Sequence, residues 1–164
     1  KLGYDYDNNG QFARQGKVDK DLFDILNDND YYRHEAPKSL GREFFENVQH
    51  KLIDESSLSV NNLLATATEH IAYQIVKSTD MLEKSKMLVT GGGAKNDFLI
   101  ERINALSKHE IVIPDVMITD YKEALIFAFL GVLKLEGKIN VLSSVTGASS
   151  DSSSGKTYQL KIEN

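Results

Sequence analysis

The sequence contains no cysteine, and this absence removes several kinds of chemistry at once. Disulfide bonds, thiolate catalysis and cysteine-based metal sites are all excluded. Histidine is also sparse, and no two histidines stand at a spacing that is typical of metal ligands. We therefore predict no metal site among the side chains of this chain, and solvated or core-satisfied roles for His34, His50, His70 and His109.

Basic clusters and long apolar runs are missing too. The formal net charge is −5 and no basic stripe is present, which argues against a nucleic-acid partner. The longest apolar run, residues 124–133, is too short to span a bilayer. No signal-peptide pattern opens the sequence, so we expect a cytoplasmic protein with no membrane partner. The first residue is not methionine, and we interpret the sequence as a fragment of a longer protein.

What is present is the composition of an ordinary globular domain. The 164 residues are 41% hydrophobic and 26% charged, which is enough for one sizeable core. Apolar spacing and β-branched runs predict helices separated by short strands. The predicted helices are residues 17–26, 40–53, 59–77, 94–107 and 120–137, and the predicted strands are residues 85–90 and 110–114.

The order of these elements predicts an α/β fold. Helix, strand, helix, strand and helix in sequence favour a layer with parallel strands. We expect one domain, residues 1–164. Within it, residues 1–56 form a helical lead-in, residues 57–142 an α/β core, and residues 143–164 a Ser/Gly-rich loop with a terminal strand at TYQLKI.

Two stretches resemble ligand-binding motifs and fail in detail. DYDNNG, residues 5–10, opens like a calcium loop, but the twelfth position, which needs a bidentate carboxylate, is Gly16. SDSSSGKT, residues 150–157, resembles a phosphate-binding loop. Its first glycine is replaced by Ser150, and a predicted strand follows instead of the helix whose N-terminus binds phosphate. We interpret the first as a polar turn and the second as a flexible loop.

The stretch LVTGGGAKND, residues 88–97, is the first candidate for a binding site. Gly91, Gly92 and Gly93 follow a predicted strand and precede a predicted helix. In that geometry backbone N–H groups point at an anion or at the face of a ring, and ligands of open α/β sheets lie outside the carboxyl ends of the strands. Asn96 is placed to cap the helix or to bind a ligand, and Lys95 to approach a phosphate. From the residues alone, a tight turn without a ligand explains the glycines equally well.

Glu123 is the second candidate. It lies near the start of a predicted helix that is otherwise almost wholly apolar, after Asp120 and Lys122. From the residues alone, a carboxylate stabilised by the N-terminus of a helix is favoured over a functional group.

Four stretches taken together resemble one family. They are PKSLGREFF, LVTGGGAKNDFL, DYKEALIFAFLGVL and SVTGASSDSSSG. In this order and spacing they resemble the C-terminal part of the anhydro-N-acetylmuramic acid kinases. The opening YDYDNNGQFARQGKV also resembles the segment that those proteins carry before PKS, so that the resemblance covers nearly the whole chain.

The resemblance implies a fold, an activity and a set of contacts. The fold is the C-terminal lobe of a ribonuclease-H-like, actin-like ATPase, with a short, mostly parallel sheet flanked by helices and ATP between two lobes. Members of the family phosphorylate 1,6-anhydro-N-acetylmuramic acid while opening the anhydro bond hydrolytically, a step of cell-wall recycling. The resemblance therefore implies ATP and Mg²⁺ as cofactors. It implies that Gly91, Gly92 and Gly93 lie against the nucleotide with Asn96 nearby, and that Glu123 lies towards the sugar.

The resemblance also implies what this chain lacks. The family's catalytic aspartate and its phosphate-holding glycine-rich loop belong to the first lobe, and neither motif occurs here. Phosphoryl transfer depends on positioning and charge stabilisation by both lobes, so we expect the isolated chain to be inactive and its partner to be the missing N-terminal lobe. The alternatives are a non-catalytic binding or scaffold module, or a kinase of the same superfamily that acts on another sugar; the interpretation leaves room for a homodimer.

Overall fold

The computed structural model describes residues 3–35 and 38–158, which fall into two units. The first unit takes in the described residues of Lys1–His34 and Leu40–Asp120, and the second those of Glu35–Ser39 and Tyr121–Asn164. The division into a lead-in, a core and a tail within one domain stays a prediction.

The first unit begins with short helices whose ends are capped by polar side chains. A 3₁₀ turn at Asn8–Gly10 leads into α1, Gln11–Arg14. Two further short helices follow, α2 at Lys20–Asn27 and α3 at Asp30–Arg33. The carboxylate of Asp19 accepts a hydrogen bond from the Leu22 amide at the start of α2, and Asn29 caps α3 in the same way. Such caps satisfy backbone donors that have no partner within the helix.

The next helical stretch starts slightly later than the sequence indicates. Gly41 has an extended backbone, so α4 begins at Arg42 rather than at residue 40. The helix continues as α4, Arg42–Phe44, a π-helical turn, Phe45–Gln49, and α5, His50–Glu55. The long helix α6, Val60–Lys77, is confirmed, and Ser59 caps it by accepting a hydrogen bond from the Asn62 amide.

The sheet of the first unit consists of two short parallel strands. Strand β1 is Lys86–Leu88 and β2 is Glu110–Val112, with Met87 opposite Ile111. A 3₁₀ turn, Gly92–Lys95, and helix α7, Asp97–Leu106, connect them. The prediction of an α/β fold with a short parallel sheet and flanking helices is confirmed at this level.

Helix α6 is shared by both hydrophobic clusters of the first unit. Near its start, Leu63 packs with Leu22 and Leu26 of α2. Near its end, Ala72 and Val76 pack with Ile103 of α7, and the strands add Met87 and Ile111 to that cluster. Because Ala72 and Ile103 have no exposed surface, α6 and α7 are in close contact, and this contact fixes the loop between β1 and α7.

A buried polar network ties the first helices to α6. His70 Nδ1 lies 3.0 Å from Asn27 Oδ1, and His70 Nε2 lies 3.0 Å from the hydroxyl of Tyr32. Asn27 Nδ2 already donates to the Phe23 carbonyl, so its oxygen is the acceptor and His70 Nδ1 carries the proton. Nε2 is then the acceptor for Tyr32. Burial lowers the pKa of His70 to about 4.

Helix α8, Val116–Leu135, begins earlier than predicted, and the boundary between the units falls within it. Asp115 stands directly before the helix and its side chain accepts a hydrogen bond from the Ile118 amide at 3.1 Å, so the helix starts at Val116 and not at residue 120. No helix in residues 3–35 and 38–158 is long and apolar enough to cross a membrane.

The second unit continues beyond α8 with a short helix and a β-bridge. Helix α9, Ser143–Thr146, is held at its first residue by Asp151, which accepts hydrogen bonds from the Ser143 amide and hydroxyl at 2.7 and 2.6 Å. These hydrogen bonds lower the pKa of Asp151. Val141 and Ser152 form an antiparallel bridge. The terminal strand predicted at residues 157–162 lies mostly outside the described residues, since residues 159–164 are not described.

Candidate functional site

The three glycines lie at the carboxyl end of the parallel sheet. The Val89 amide extends the ladder with a 2.9 Å hydrogen bond to the Val112 carbonyl, and the chain then turns at Gly91. Gly91 has φ 82° and ψ −173°, a conformation that is essentially confined to glycine. The backbone of the turn therefore explains why residue 91 is glycine.

The fold gives no such reason for the next two glycines. Neither Gly92 nor Gly93 has a positive φ. A Cβ atom added to Gly92 would have no heavy atom of the described residues within 4 Å, and one added to Gly93 would meet Leu99 Cδ2 at an ordinary 3.7 Å. Glycine costs more backbone entropy on folding than any other residue, so two glycines here destabilise the turn without relieving any clash. What they provide is open space directly against the backbone.

Asn96 has one amide atom engaged and one available. Its Oδ1 accepts a hydrogen bond from the Leu99 amide at 3.1 Å and caps α7, as one of its two predicted roles required. Its Nδ2 has no acceptor within the described part of the chain. Lys95, which the sequence placed near a phosphate, instead pairs with Asp120 at 2.5 Å and ties the glycine turn to the start of α8.

The glycine turn borders a cleft of about 560 Å³. One side of this cleft is the surface of α6, which contributes the apolar side chains of Leu64, Ala67 and Ile71 and the hydroxyl of Thr68. Gly92, Gly93, Lys95 and Asn96 form a second side. An apolar surface beside open backbone and amide groups is the usual composition of a small-molecule site.

The third side of the cleft is the turn at residues 6–9, within the stretch DYDNNG. The polar-turn interpretation describes its local conformation, because Asp7 accepts hydrogen bonds from the Phe12 and Ala13 amides, both at 2.9 Å. Sequence reasoning missed that this turn lies on the cleft. No local pattern signals it, because the turn and the glycines are far apart in sequence.

The turn is fixed to the N-terminus of α7 by Gly10. This residue has φ 68°, and a Cβ atom there would lie 2.5 Å from Phe98 Cβ and 2.7 Å from Asn96 Oδ1. Real Cβ atoms do not approach so closely, so only glycine permits the contact. The same asparagine that caps α7 and lines the cleft is therefore packed against the N-terminal turn.

Ion pairs hold the helices around the cleft. The Arg14 guanidinium of α1 binds both carboxylate oxygens of Glu101 on α7, at 2.5 and 2.7 Å, and lies 5.1 Å from the centre of the Phe98 ring. The hydrogen bond from Arg14 holds the pKa of Glu101 below its usual range. Arg102 of α7 binds Glu69 of α6 in the same two-point manner, at 2.6 and 3.0 Å. These contacts fix the register of α1, α6 and α7.

Glu123 lies in the second unit, on an exposed position of α8. The favoured interpretation, a carboxylate at a helix N-terminus, is wrong, because α8 begins at Val116 and Glu123 lies two turns further on. The stabilisation of carboxylates by a helix dipole is confined to the first turn. The local explanation for this carboxylate is thereby removed.

Comparison with known proteins gives one consistent result. The family model for anhydro-N-acetylmuramic acid kinase matches residues 1–160. A protein of that name from Pasteurella multocida (strain Pm70) is 36% identical over 164 residues, covering 95% of this chain and 44% of the relative. Those from Sulfurovum sp. (strain NBC37-1) and Actinobacillus pleuropneumoniae serotype 7 (strain AP76) are 32% and 34% identical over 161 residues, covering 93% of this chain.

The alignments cover nearly all of this chain but less than half of each relative. The same alignments cover 43% and 44% of the second and third relatives, so the chain spans less than half the length of the curated relatives it matches. The sequence resemblance carried by PKSLGREFF, LVTGGGAKNDFL and the other stretches is confirmed. The chain belongs to the anhydro-N-acetylmuramic acid kinase family.

Proposed function

We propose that this chain is the C-terminal, nucleotide-contacting lobe of an ATP-dependent kinase that phosphorylates 1,6-anhydro-N-acetylmuramic acid with opening of the anhydro ring. The lobe would belong to the actin-like ATPase fold. The single observation that carries the nucleotide assignment is the open backbone at Gly92, where a side chain would touch nothing in the fold. Family membership and the partial coverage of the relatives support the rest.

In this proposal the glycine turn holds the nucleotide by close approach. Gly91 supplies the turn, Gly92 and Gly93 leave the backbone accessible, and Asn96 donates from Nδ2 while its Oδ1 stays on α7. When bound, ATP supplies the phosphoryl group. The residues of this chain orient the nucleotide and exclude water from one side of it.

Glu123 is proposed to face the sugar. Its carboxylate is an acceptor for sugar hydroxyl groups, and it is exposed on α8 beyond the first turn of the helix. For Glu123→Gln in the assembled enzyme we expect loss of turnover with little change in melting temperature. Unchanged turnover would remove this residue from the site.

The described residues do not form a site that would hold the metal. Residues 3–35 and 38–158 contain no group of three His, Asp or Glu side chains that could hold an ion. Under the proposal, the ligands of Mg²⁺, the base that activates water and the loop that grips the phosphates all belong to the missing N-terminal lobe. The isolated chain should then be inactive, because positioning and charge stabilisation are the main sources of catalysis in phosphoryl transfer.

Complementation tests the proposal. The chain is assayed for ATP-dependent phosphorylation of 1,6-anhydro-N-acetylmuramic acid alone and after co-expression with the N-terminal half of the same gene product. We expect the chain alone to be inactive and the co-expressed pair to be active. Inactivity of a folded, associated mixture would favour a non-catalytic module, and activity on a different sugar in a panel would reassign the substrate.

A further inference from the structure

The turn at residues 6–9 is held in place by more contacts than a connecting turn requires. Asp7 commits both carboxylate oxygens to the start of α1, and Gly10 is packed against Phe98 and Asn96 so closely that no other residue fits. Further along, Gly16 is equally confined, since a Cβ atom there would lie 2.0 Å from the Asn61 carbonyl oxygen. Both ends of the segment are therefore locked onto α6 and α7.

The side chains at the tip of this turn are not engaged by the rest of the described residues. Tyr6, Asn8 and Asn9 are exposed, and their side chains form no hydrogen bond or ion pair within the described residues. Asn9 even adopts φ 55°, an uncommon conformation for a residue with a side chain. A rigid support that presents an aromatic ring and two unengaged amides to a cleft is the arrangement expected of a ligand-contacting loop.

The charges around the cleft decide which part of a nucleotide fits between the two turns. Among the described residues, its lining includes one cationic side chain, Lys95, and that ammonium group is paired with Asp120. The other charged side chain is the carboxylate of Asp7, which repels phosphate. A triphosphate is therefore poorly accommodated here. A planar base fits better, because it can lie on the apolar side chains of α6 while its polar edge meets amide groups.

We infer that the turn at residues 6–9 is the second wall of the nucleotide cleft and contacts the base and ribose, opposite Gly92 and Gly93. The inference rests on the proposed function and extends it to residues outside the glycine turn. The amides of Asn8 and Asn9 donate to and accept from the polar edge of the base, and Tyr6 covers its face. The phosphates then leave the cleft on the side away from this turn.

Binding of a fluorescent ADP analogue, mant-ADP, to the 164-residue chain tests the inference. The double variant Asn8→Ala/Asn9→Ala should raise the dissociation constant by roughly tenfold, as expected for two lost amide hydrogen bonds. Tyr6→Ala should have a similar effect and Tyr6→Phe little effect, because stacking on an aromatic ring needs no hydroxyl. Asn104→Ala is the matched control, since Asn104 is an asparagine of α7 that does not line the cleft.

Specificity and competition separate the base from the phosphates. We expect adenosine to displace mant-ADP and inorganic triphosphate to displace it poorly. We also expect the ratio of the GDP and ADP dissociation constants to fall in the Asn8→Ala/Asn9→Ala variant. A merely structural role for the turn would change the melting temperature and leave this ratio unchanged.

The outcomes distinguish a failure of the inference about residues 6–9 from a failure of the nucleotide assignment itself. If the unmodified chain binds mant-ADP and both Asn8→Ala/Asn9→Ala and Tyr6→Ala bind it equally well, the turn is not a wall of the site, although the glycine site stands. Competition by triphosphate alone would also overturn the inference. If the unmodified, folded chain binds no nucleotide, the nucleotide assignment itself fails and the inference fails with it.

Discussion

The two turns that border the cleft each contain a glycine, but the space around the two glycines differs. At Gly10 the surrounding atoms leave no room for a side chain, whereas at Gly92 they leave the space empty. The first glycine is required by packing and the second is not required by anything in the fold. Glycine in a sequence thus reports either a close approach of the protein to itself or a space reserved for something else, and only the structure separates the two.

The largest effect should come from filling the crowded turn. Gly10→Ala combines a left-handed conformation that costs about 1–2 kcal/mol with an overlap of a kind that costs about 1–3 kcal/mol. We expect a loss of about 3–4 kcal/mol in the free energy of unfolding, measured by urea denaturation followed by circular dichroism. A loss below 1 kcal/mol would mean that the contact with Phe98 and Asn96 is not formed, and the comparison between the turns would break.

Acid should lower the stability of the first unit, because His70 joins its first helices to α6. His70 takes up a proton near pH 6.5 when unfolded but only at about 4 when folded, so its contribution to stability is fully present above pH 6.5. The contribution is lost as the pH falls from 6.5 towards 4, because the unfolded state then binds more protons. Protonated Nε2 can no longer accept the hydrogen bond of Tyr32.

We expect the His70 contribution to reach at most about 3 kcal/mol over that interval. The measurement is the free energy of unfolding of the wild-type chain and of His70→Gln at several pH values, since the difference between them removes the effect of the carboxylates. Parallel pH profiles of the two proteins would show that His70 is not buried in its neutral form.

A third substitution separates backbone strain from crowding. Gly91→Ala places a side chain in open space, but at φ 82° and ψ −173°, where a non-glycine residue costs about 1–3 kcal/mol. We expect a loss of about 2 kcal/mol, smaller than that of Gly10→Ala by the cost of the overlap. Equal losses in the two variants would indicate that strain alone explains both, and that the packing at Gly10 contributes nothing.

The smallest effect on stability should be at Gly92. Alanine there meets no atom within 4 Å and needs no positive φ, so Gly92→Ala should change the free energy of unfolding by less than about 1 kcal/mol, with a gain from reduced freedom of the unfolded chain. Gly131→Ala is the matched control, because Gly131 lies within α8 and also has nothing within 4 Å. A large loss at Gly92 alone would show that the fold requires glycine at this position.

Local signals predicted the elements around the site well. Ser59 and Asn96 stand directly before their helices and cap them, and the run predicted as a strand at residues 110–114 contains β2, Glu110–Val112, which is parallel to β1. The apolar spacing predicts the start of α8 too late, although Asp115, an acidic capping residue after Pro114, marks it. That misplacement produced the wrong explanation of Glu123, because a residue two turns into a helix gains nothing from its N-terminus.

The composition of the site could not be predicted from local pattern. The turn at residues 6–9 and the glycines at 92 and 93 meet because Gly10 packs on α7, and nothing in either stretch encodes its neighbour. Lys95 was placed near a phosphate from its position alone, yet its partner is Asp120, which only the packing of α8 supplies. Long-range contacts of this kind depend on the whole fold and not on spacing.

The binding of mant-ADP to Gly92→Ala tests the central claim most directly. Since the added methyl group occupies only the space that the fold leaves open, we predict a dissociation constant at least about tenfold above that of the unmodified chain. The free energy of unfolding should stay nearly unchanged, and Gly131→Ala should bind like the unmodified chain. Equal affinity in a folded Gly92→Ala would contradict the claim that the open backbone at this turn is kept for a nucleotide.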